Sequence, residues 1–363
     1  MTLLHFDGFR SYADDNGTSA DFNAVSTETV ESQNTQWYLP QGGFSTAYSR
    51  FGSPNIGLRL PNTDYGTSAY FKYTLVNTLS PATVIVGVVF YKDNADAPSE
   101  SASYPFIRIS DGAGNNHLNL CWDSSDNLKA YRNTTLLGTS SGATLQDYKW
   151  HYLEVKLLIH ASAGTVEVKL DGTQILDLSG QDTLEGANVY ARQFQFGGVH
   201  NDLDTSFDCI WIMDNAGDAP QNDFLGDCRC DVLRPNGAGA DADFTPSVGS
   251  NYENVDDVTP DDDSTYNSSD TVDHQDSYAL PSLASGGTIY GVKFCICINK
   301  TDAGAKGAKI LTRSNGTYYK SDEVDPSTDY ETFAKVYQVN PDDSAAWAEA
   351  DITGAEIGVE VSS

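Results

Sequence analysis

Carboxylates, imidazoles and thiols are the side chains that move protons, hold metals or attack carbonyls, so their spacing is the first thing to read in this chain of 363 residues. Glycan hydrolysis on a β-scaffold needs two carboxylates facing each other across a cleft. The Glu-x-Asp-x-x-Glu strand that would supply them is missing, and Glu323-Val324-Asp325, which has its first half, runs into Pro326 and reads as a turn. The six histidines are scattered, and none stands beside a serine or cysteine in a nucleophile-elbow context. His151 falls on the apolar face of its strand, where a hydrogen-bonded structural role is expected. Phosphate-cradling glycine motifs followed by Lys-Ser or Lys-Thr are lacking, and Asn315-Gly316 reads as a turn. These absences lead to the expectation of a protein without enzymatic activity.

Metal chemistry finds little support either. Cysteines occur at 121 and 209 and as the pairs Cys228/Cys230 and Cys295/Cys297. Cys-x-Cys in a strand puts both sulfurs on one face, and a metal would need two further ligands from elsewhere. Reduced, buried or half-buried thiols are the expectation. The acidic run Asp256-Asp257-Val258-Thr259-Pro260-Asp261-Asp262-Asp263 offers oxygen ligands for a hard cation, but it lacks the glycine and closing glutamate of an EF-hand and reads as a solvated loop. No metal and no cofactor are expected. Aromatic faces beside Asp and Asn are how sandwiches hold sugars. Trp37, Tyr38 and Trp122 with Asp123 are the candidate glycan-binding residues, with core packing as the competing role for each.

The elements that must position such groups are strands. Thr83–Tyr91 is β-branched and apolar on both faces, as in a central strand covered from two sides. Phe106–Ser110 and Leu118–Trp122 flank a Gly/Asn-rich turn and read as a hairpin. From Trp150 to Ile159, Leu153, Val155, Leu157 and Ile159 point one way and Glu154 and Lys156 the other. Thr165–Gly172 then continues the hairpin. In Phe207–Asp214, Phe207, Cys209, Trp211 and Met213 share one face and Ile210 and Ile212 the opposite one. Beyond about Pro235 large aliphatics nearly vanish until Gln275, which reads as a linker or surface excursion. Strands return at Thr288–Ile298, where Tyr290, Val292, Phe294, Ile296 and Ile298 form an apolar face. Further strands are expected at Ala308–Leu311, Thr332–Tyr337 and Ala355–Val361.

The length favours two domains. A formal charge of −30, from 51 Asp and Glu against 21 Lys and Arg, disfavours nucleic-acid partners. The start Met1–Gly8 has neither a basic region nor a long apolar run, so no signal peptide or membrane insertion is expected, and the protein should mature in the cytoplasm.

The hairpin from Trp150 to Leu178, with a tryptophan entering one strand and Asp171-Gly172 closing the next, resembles the laminin G and concanavalin-like lectin sandwiches. A second resemblance spans the chain. Leu3–Phe9, Ile210–Asp218 with Asn222–Asp227, Arg234–Gly239, Asn340–Trp347 and Ile357–Val361 are similar to stretches of structural proteins of tailed bacteriophages and prophages. The resulting expectation is an all-β chain with a concanavalin/laminin G-like jelly-roll sandwich over residues 1–233, an acidic Gly/Asp/Ser-rich linker over 234–275 and a smaller C-terminal β-sandwich over 276–363. The resemblance implies a non-enzymatic virion component on the tail or capsid surface, serving attachment or decoration and forming a homo-oligomer among other virion proteins. A glycan-binding adhesin that recognises a host surface glycan is the alternative, and a polysaccharide depolymerase the third reading.

Overall fold

In the computed structural model, the residues described are 3–8, 28–30, 33–38, 43–45, 50, 57–60, 70–75, 80–92, 105–141, 145–197, 205–257, 261–283 and 286–363. In chain order the strands begin β1 (Leu3–Asp7), β2 (Glu28–Val30), β3 (Gln33–Tyr38), β4 (Gly43–Ser45), β5 (Gly57–Leu60), β6 (Tyr70–Leu75), β7 (Thr83–Lys92), β8 (Ile107–Ser110) and β9 (Asn116–Trp122). Next come β10 (Leu128–Arg132), β11 (Thr135–Thr139), β12 (Lys149–Leu158), β13 (Gly164–Leu170), β14 (Thr173–Gln181), β15 (Gln193–Gly197) and β16 (Thr205–Asp214). The remainder are β17 (Gly237–Ala242), β18 (Thr245–Pro246), β19 (Asn267–Ser268), β20 (Gln275–Ala279), β21 (Val292–Ile298), β22 (Ala308–Ser314), β23 (Thr317–Lys320), β24 (Glu331–Tyr337) and β25 (Glu356–Val361). Among the described residues, one short helix, α1 (Glu349–Thr353), and a 3₁₀ turn at Asn251–Asn254 interrupt them. The fold is all-β, as the alternating patterns predict. Among the described residues no helix is long and apolar enough to cross a membrane.

The chain divides into two compact units, Met1–Ser26 with Ser32–Asp231, and Thr27–Glu31 with Val232–Ser363. Unit 1 is a sandwich of two antiparallel sheets. The first runs β14-β13-β12-β7-β16-β5-β4, with β1 also on β16; the second runs β11-β10-β9-β8-β15-β6-β3. Strand β7 lies between β12 and β16, and its residues from Val84 to Phe90 are buried, which is the doubly covered position its sequence predicts. Leu153, Val155 and Leu157 stand opposite Val88, Val86 and Val84 and join the common core with Ile107, Ile109, Phe71, Phe194 and Phe196 from the other sheet.

Strand β16 departs from the simple alternation. Phe207 pairs with Phe90 but Ile210 pairs with Val88, so β16 carries one residue more than its neighbour there. A bulge of this kind resets the face on which every later side chain falls. Phe207 therefore shares the inter-sheet core with Ile210 and Ile212 rather than with Trp211 and Met213.

The outer face of the first sheet is covered by the end of unit 1. Gly226 N donates to the Glu154 carboxylate at 2.8 Å, Lys169 Nζ lies 4.4 Å over the Phe224 ring, Lys156 pairs with Asp223 at 3.1 Å, and Arg50 pairs with Asp227. Glu154 is consequently buried although its strand position predicts exposure. Burial pushes its carboxyl above the usual range, against the pull of the Gly226 and Leu225 amides.

Unit 2 holds the five-stranded sheet β17-β20-β25-β22-β23, the pairs β2-β24 and β24-β21, and the pair β18-β19. Phe294, Ile310, Phe333, Trp347 and Ile352 form its core, packed by Val292, Ile296, Ile298 and Ile357 as the apolar faces predict. The expected linker over 234–275 is not one: β17, β18, β19 and the start of β20 fall inside it. Hydrogen bonds order this segment where aliphatics are scarce. Asn251 Nδ2 donates to Phe244 O at 2.9 Å and to Asp276 Oδ2 at 2.8 Å, and Asn267 Nδ2 donates to Asn251 O at 2.8 Å. Tyr278 OH donates to Asp276 Oδ2 at 2.8 Å. A satisfied buried amide can fix a chain as firmly as an apolar contact.

Candidate functional site

Side chains alternate along a strand, so each core residue of the second sheet of unit 1 is followed by one that faces away from the core. Ile107 and Ile109 are core residues and Arg108 lies between them; Phe194 and Phe196 bracket Gln195; Phe71 and Tyr73 bracket Lys72; Leu118 and Leu120 bracket Asn119. The ladder then aligns these outward residues. Tyr131 stands opposite Asn119, Asn119 opposite Arg108, Arg108 opposite Gln195, and Gln195 opposite Lys72. One row of polar groups therefore crosses five strands, β10-β9-β8-β15-β6.

The row is internally bonded. Arg108 Nε donates to Asn119 Oδ1 at 3.0 Å, and Arg108 Nη1 reaches Gln195 Oε1 at 3.5 Å. Asn119 Nδ2 donates to Asn133 O at 2.8 Å, which fixes the amide with its oxygen toward the guanidinium. Arg108, Gln195, Lys72, Tyr70 and Tyr131 are half-buried, whereas Asn119 and Cys121 are buried. Burial lowers the proton affinity of both Arg108 and Lys72. No carboxylate among the described residues bonds the Lys72 amine.

Composition sharpens the picture. In a chain with 51 Asp and Glu, none of the seven strands β3, β6, β8, β9, β10, β11 and β15 contains one. The first sheet, by contrast, carries Asp7, Glu154, Glu167, Asp177, Asp208 and Asp214 in its strands. Cations on strands free of acids, with amide and phenol neighbours, can hold a carboxylate, sulfate or phosphate while hydrogen-bonding hydroxyls around it.

The residues singled out in the sequence fall elsewhere. Trp122 is 1% exposed, points into the core beside Phe106, and buries its Nε1 without a partner among the described residues, so its face offers nothing to a sugar. Asp123 organises the turn between β9 and β10: its Oδ1 accepts from Ser125 N at 2.9 Å and Asn127 N at 3.0 Å. Trp37 and Tyr38 stand opposite Phe71 and Tyr70 in the ladder, and their side chains lie outside the described residues. His151 is buried, with Nδ1 2.7 Å from Asp171 Oδ2 and Nε2 facing Gln146, which is a structural clamp on the hairpin. Val324 bridges to Ala308 and Asp325 pairs with Lys300, so Glu323-Val324-Asp325 is a bridged surface segment rather than the turn its sequence suggests. Thr265 donates twice to Asp261 in the acidic run, of which residues 258–260 lie outside the described residues. No group of three or more His, Cys, Asp or Glu is placed to hold a metal among the described residues.

Neither a family model nor a curated protein matches the chain. Solved structures similar to it include the cellulose-induced protein Cip1, 17% identical over 57% of this chain and 96% of that one, with a TM-score of 0.38. An endo-β-1,4-glucuronan lyase from the fungus Trichoderma reesei is 13% identical over 58% and 95%, with a TM-score of 0.36. A carbohydrate esterase from a Shiga toxin-encoding bacteriophage, phi24B, is 14% identical over 49% and 89%, with a TM-score of 0.33. The expectation of a non-enzyme is corrected by this: a lyase and an esterase stand among the similar structures, and a missing Glu-x-Asp-x-x-Glu strand excludes one hydrolytic arrangement rather than carbohydrate chemistry as a whole.

Proposed function

We propose that unit 1 binds an acidic glycan along the outward face of its second sheet. The observation that carries this is the acid-free sheet with the row Lys72, Gln195, Arg108, Asn119 and Tyr131 on it, in a molecule whose net charge is −30. Arg108 and Lys72 sit two strands apart, about 10 Å at the usual strand spacing, with Gln195 between them. Two anionic groups on a sugar chain laid across the strands meet a cation each, and the amides between them meet hydroxyls.

A second reading, turnover of the bound chain, is favoured by Lys72. Burial lowers the proton affinity of its amine, the direction a proton-accepting lysine needs, and Arg108 lies two strands away to hold a carboxylate. The setting we propose is the surface of a tailed-phage particle, on the tail or the capsid, with attachment to a host glycan as the role. What supports that setting is the likeness of Leu3–Phe9, Ile210–Asp218 with Asn222–Asp227, and Asn340–Trp347 to phage and prophage structural proteins.

A glycan array spanning acidic and neutral polysaccharides tests the binding. Retention on acidic polymers, weakened in Arg108→Ala and Lys72→Ala, is expected; retention on neutral glycans alone, or none, overturns it. New chain ends released from the bound polymer establish turnover. Mass spectrometry of purified particles tests the setting, which fails if the protein is missing from them.

A further inference from the structure

The segment that covers the first sheet of unit 1 carries two thiols, Cys228 and Cys230, and ends over a third, Cys209 in β16. Cys209 is fully buried on the outward side of the bulge. Its S–H donates to Asp208 Oδ1 at 3.4 Å, which turns a sulfur lone pair toward the covering segment, and Cys230 N donates to that sulfur at 2.8 Å. We infer that Cys209 and Cys230 are a disulfide-forming pair, a covalent pin that fastens residues 220–231 to the sheet when the protein meets an oxidising medium.

The distance argument is direct. The tetrahedral angle at Cβ of Cys209 sets its Sγ about 2.8 Å from its Cα, and adding the N–Cα bond of Cys230, about 1.5 Å, to the 2.8 Å contact limits the two Cα atoms to about 7 Å. Any bend brings them within the range of about 4.4–6.8 Å over which disulfides close. Rotation about χ1 of Cys230 is the movement the bridge requires to bring its sulfur to Cys209. Cys228 is the poorer partner. Its strand-like i, i+2 relation to Cys230 does not favour a bridge, and burial pushes its thiol up, away from the reactive thiolate.

The chemistry needs a small dialkyl disulfide as oxidant. The half-buried Cys230 loses its proton and attacks one sulfur of that disulfide, forming a mixed disulfide and releasing one thiolate. Cys209 then loses its proton and attacks the Cys230 sulfur, forming the protein disulfide and releasing the second thiolate. Two electrons pass to the oxidant and two protons to solvent.

The test is oxidation of the native full chain with oxidised glutathione, followed by alkylation of remaining thiols and peptide mapping. A Cys209–Cys230 link in wild type and in Cys228→Ser is expected, together with slower proteolytic cutting within residues 220–231. A glutathione adduct that persists on Cys230, a link from Cys230 to Cys228 instead, or alkylation of both Cys209 and Cys230 after oxidation each overturns the inference. Cys209→Ser, which keeps the size of the side chain, should hold the mixed disulfide on Cys230, and failure to trap it there counts against the order of steps.

Discussion

Beyond the core that they share, the two sheets of unit 1 use their outward faces in opposite ways. The first sheet turns Trp211, Glu154 and Cys209 outward and buries all three, Glu154 and Cys209 beneath residues 220–231; Trp211 fills the space over Gly87 so fully that a Cβ there would come within 2.0 Å of the ring. The second sheet turns Lys72, Gln195, Arg108 and Tyr131 outward, half-buried and without an acidic residue in its strands. An outward face closed by the protein's own chain contributes stability. One kept polar and cationic in an acidic protein is the composition that the proposed binding of an acidic ligand accounts for.

The largest effects should fall on the closed face. Gly87→Val forces the Trp211 ring out of its seat and should destabilise unit 1 by about 3 kcal/mol in urea denaturation. Gln195→Val, the matching kind of change on the open face, should stay within about 0.5 kcal/mol. Equal losses would erase the distinction between the sheets. Next in size is Glu154→Ala, which strips the buried acceptor from the amides of Gly226 and Leu225 and should cost about 2 kcal/mol, with faster proteolysis between 222 and 231. A variant as protease-resistant as wild type would show that the segment is held without Glu154.

Part of this contrast is legible in the amino-acid sequence. The alternation of Leu153, Val155 and Leu157 against Glu154 and Lys156 identifies the core side of β12, because a period of two is written into neighbouring residues. The same alternation turns Glu154 away from the core, and it is nonetheless buried because what covers it comes from about 70 residues later in the chain. The bulge in β16 is hidden for a related reason: it exists only relative to β7. The segment 234–275 reads as a linker when aliphatic content is the measure of order, whereas Asn251, Asn267 and Asp276 order it with hydrogen bonds. The polar row needs the register of strands between residues 70 and 197, which no local pattern carries. Its signal is nonetheless present, in a series of strand-like segments free of Asp and Glu.

On the open face, Arg108→Ala should lower affinity for an acidic glycan about tenfold or more, the worth of one charge-assisted contact, while leaving the melting temperature close to wild type. A large fall in melting temperature with unchanged affinity would reassign Arg108 to structure. The smallest effect concerns the hairpin clamp. Burial opposes protonation of His151, but the Asp171 hydrogen bond and the Gln146 carbonyl outweigh it and raise the affinity for the proton; burial likewise opposes ionisation of Asp171, and His151 outweighs it. The raised histidine stabilises the fold below its ordinary value and loses that contribution as pH climbs through the folded value. The lowered aspartate stabilises it above its own ordinary value and loses that as pH falls. The pair should thus contribute most between about pH 4 and pH 6.5, by under about 1 kcal/mol given the exposure of Asp171. His151→Asn should flatten that part of the pH–stability profile.

The most direct test is calorimetric titration of the full chain with one acidic oligosaccharide and with the same oligosaccharide after its carboxylates have been reduced to alcohols. Binding of the acidic form at least about tenfold tighter, with the preference abolished in the folded Arg108→Ala/Lys72→Ala variant, is the predicted result. Equal affinity for the two forms, or a preference that survives the double substitution, would contradict it.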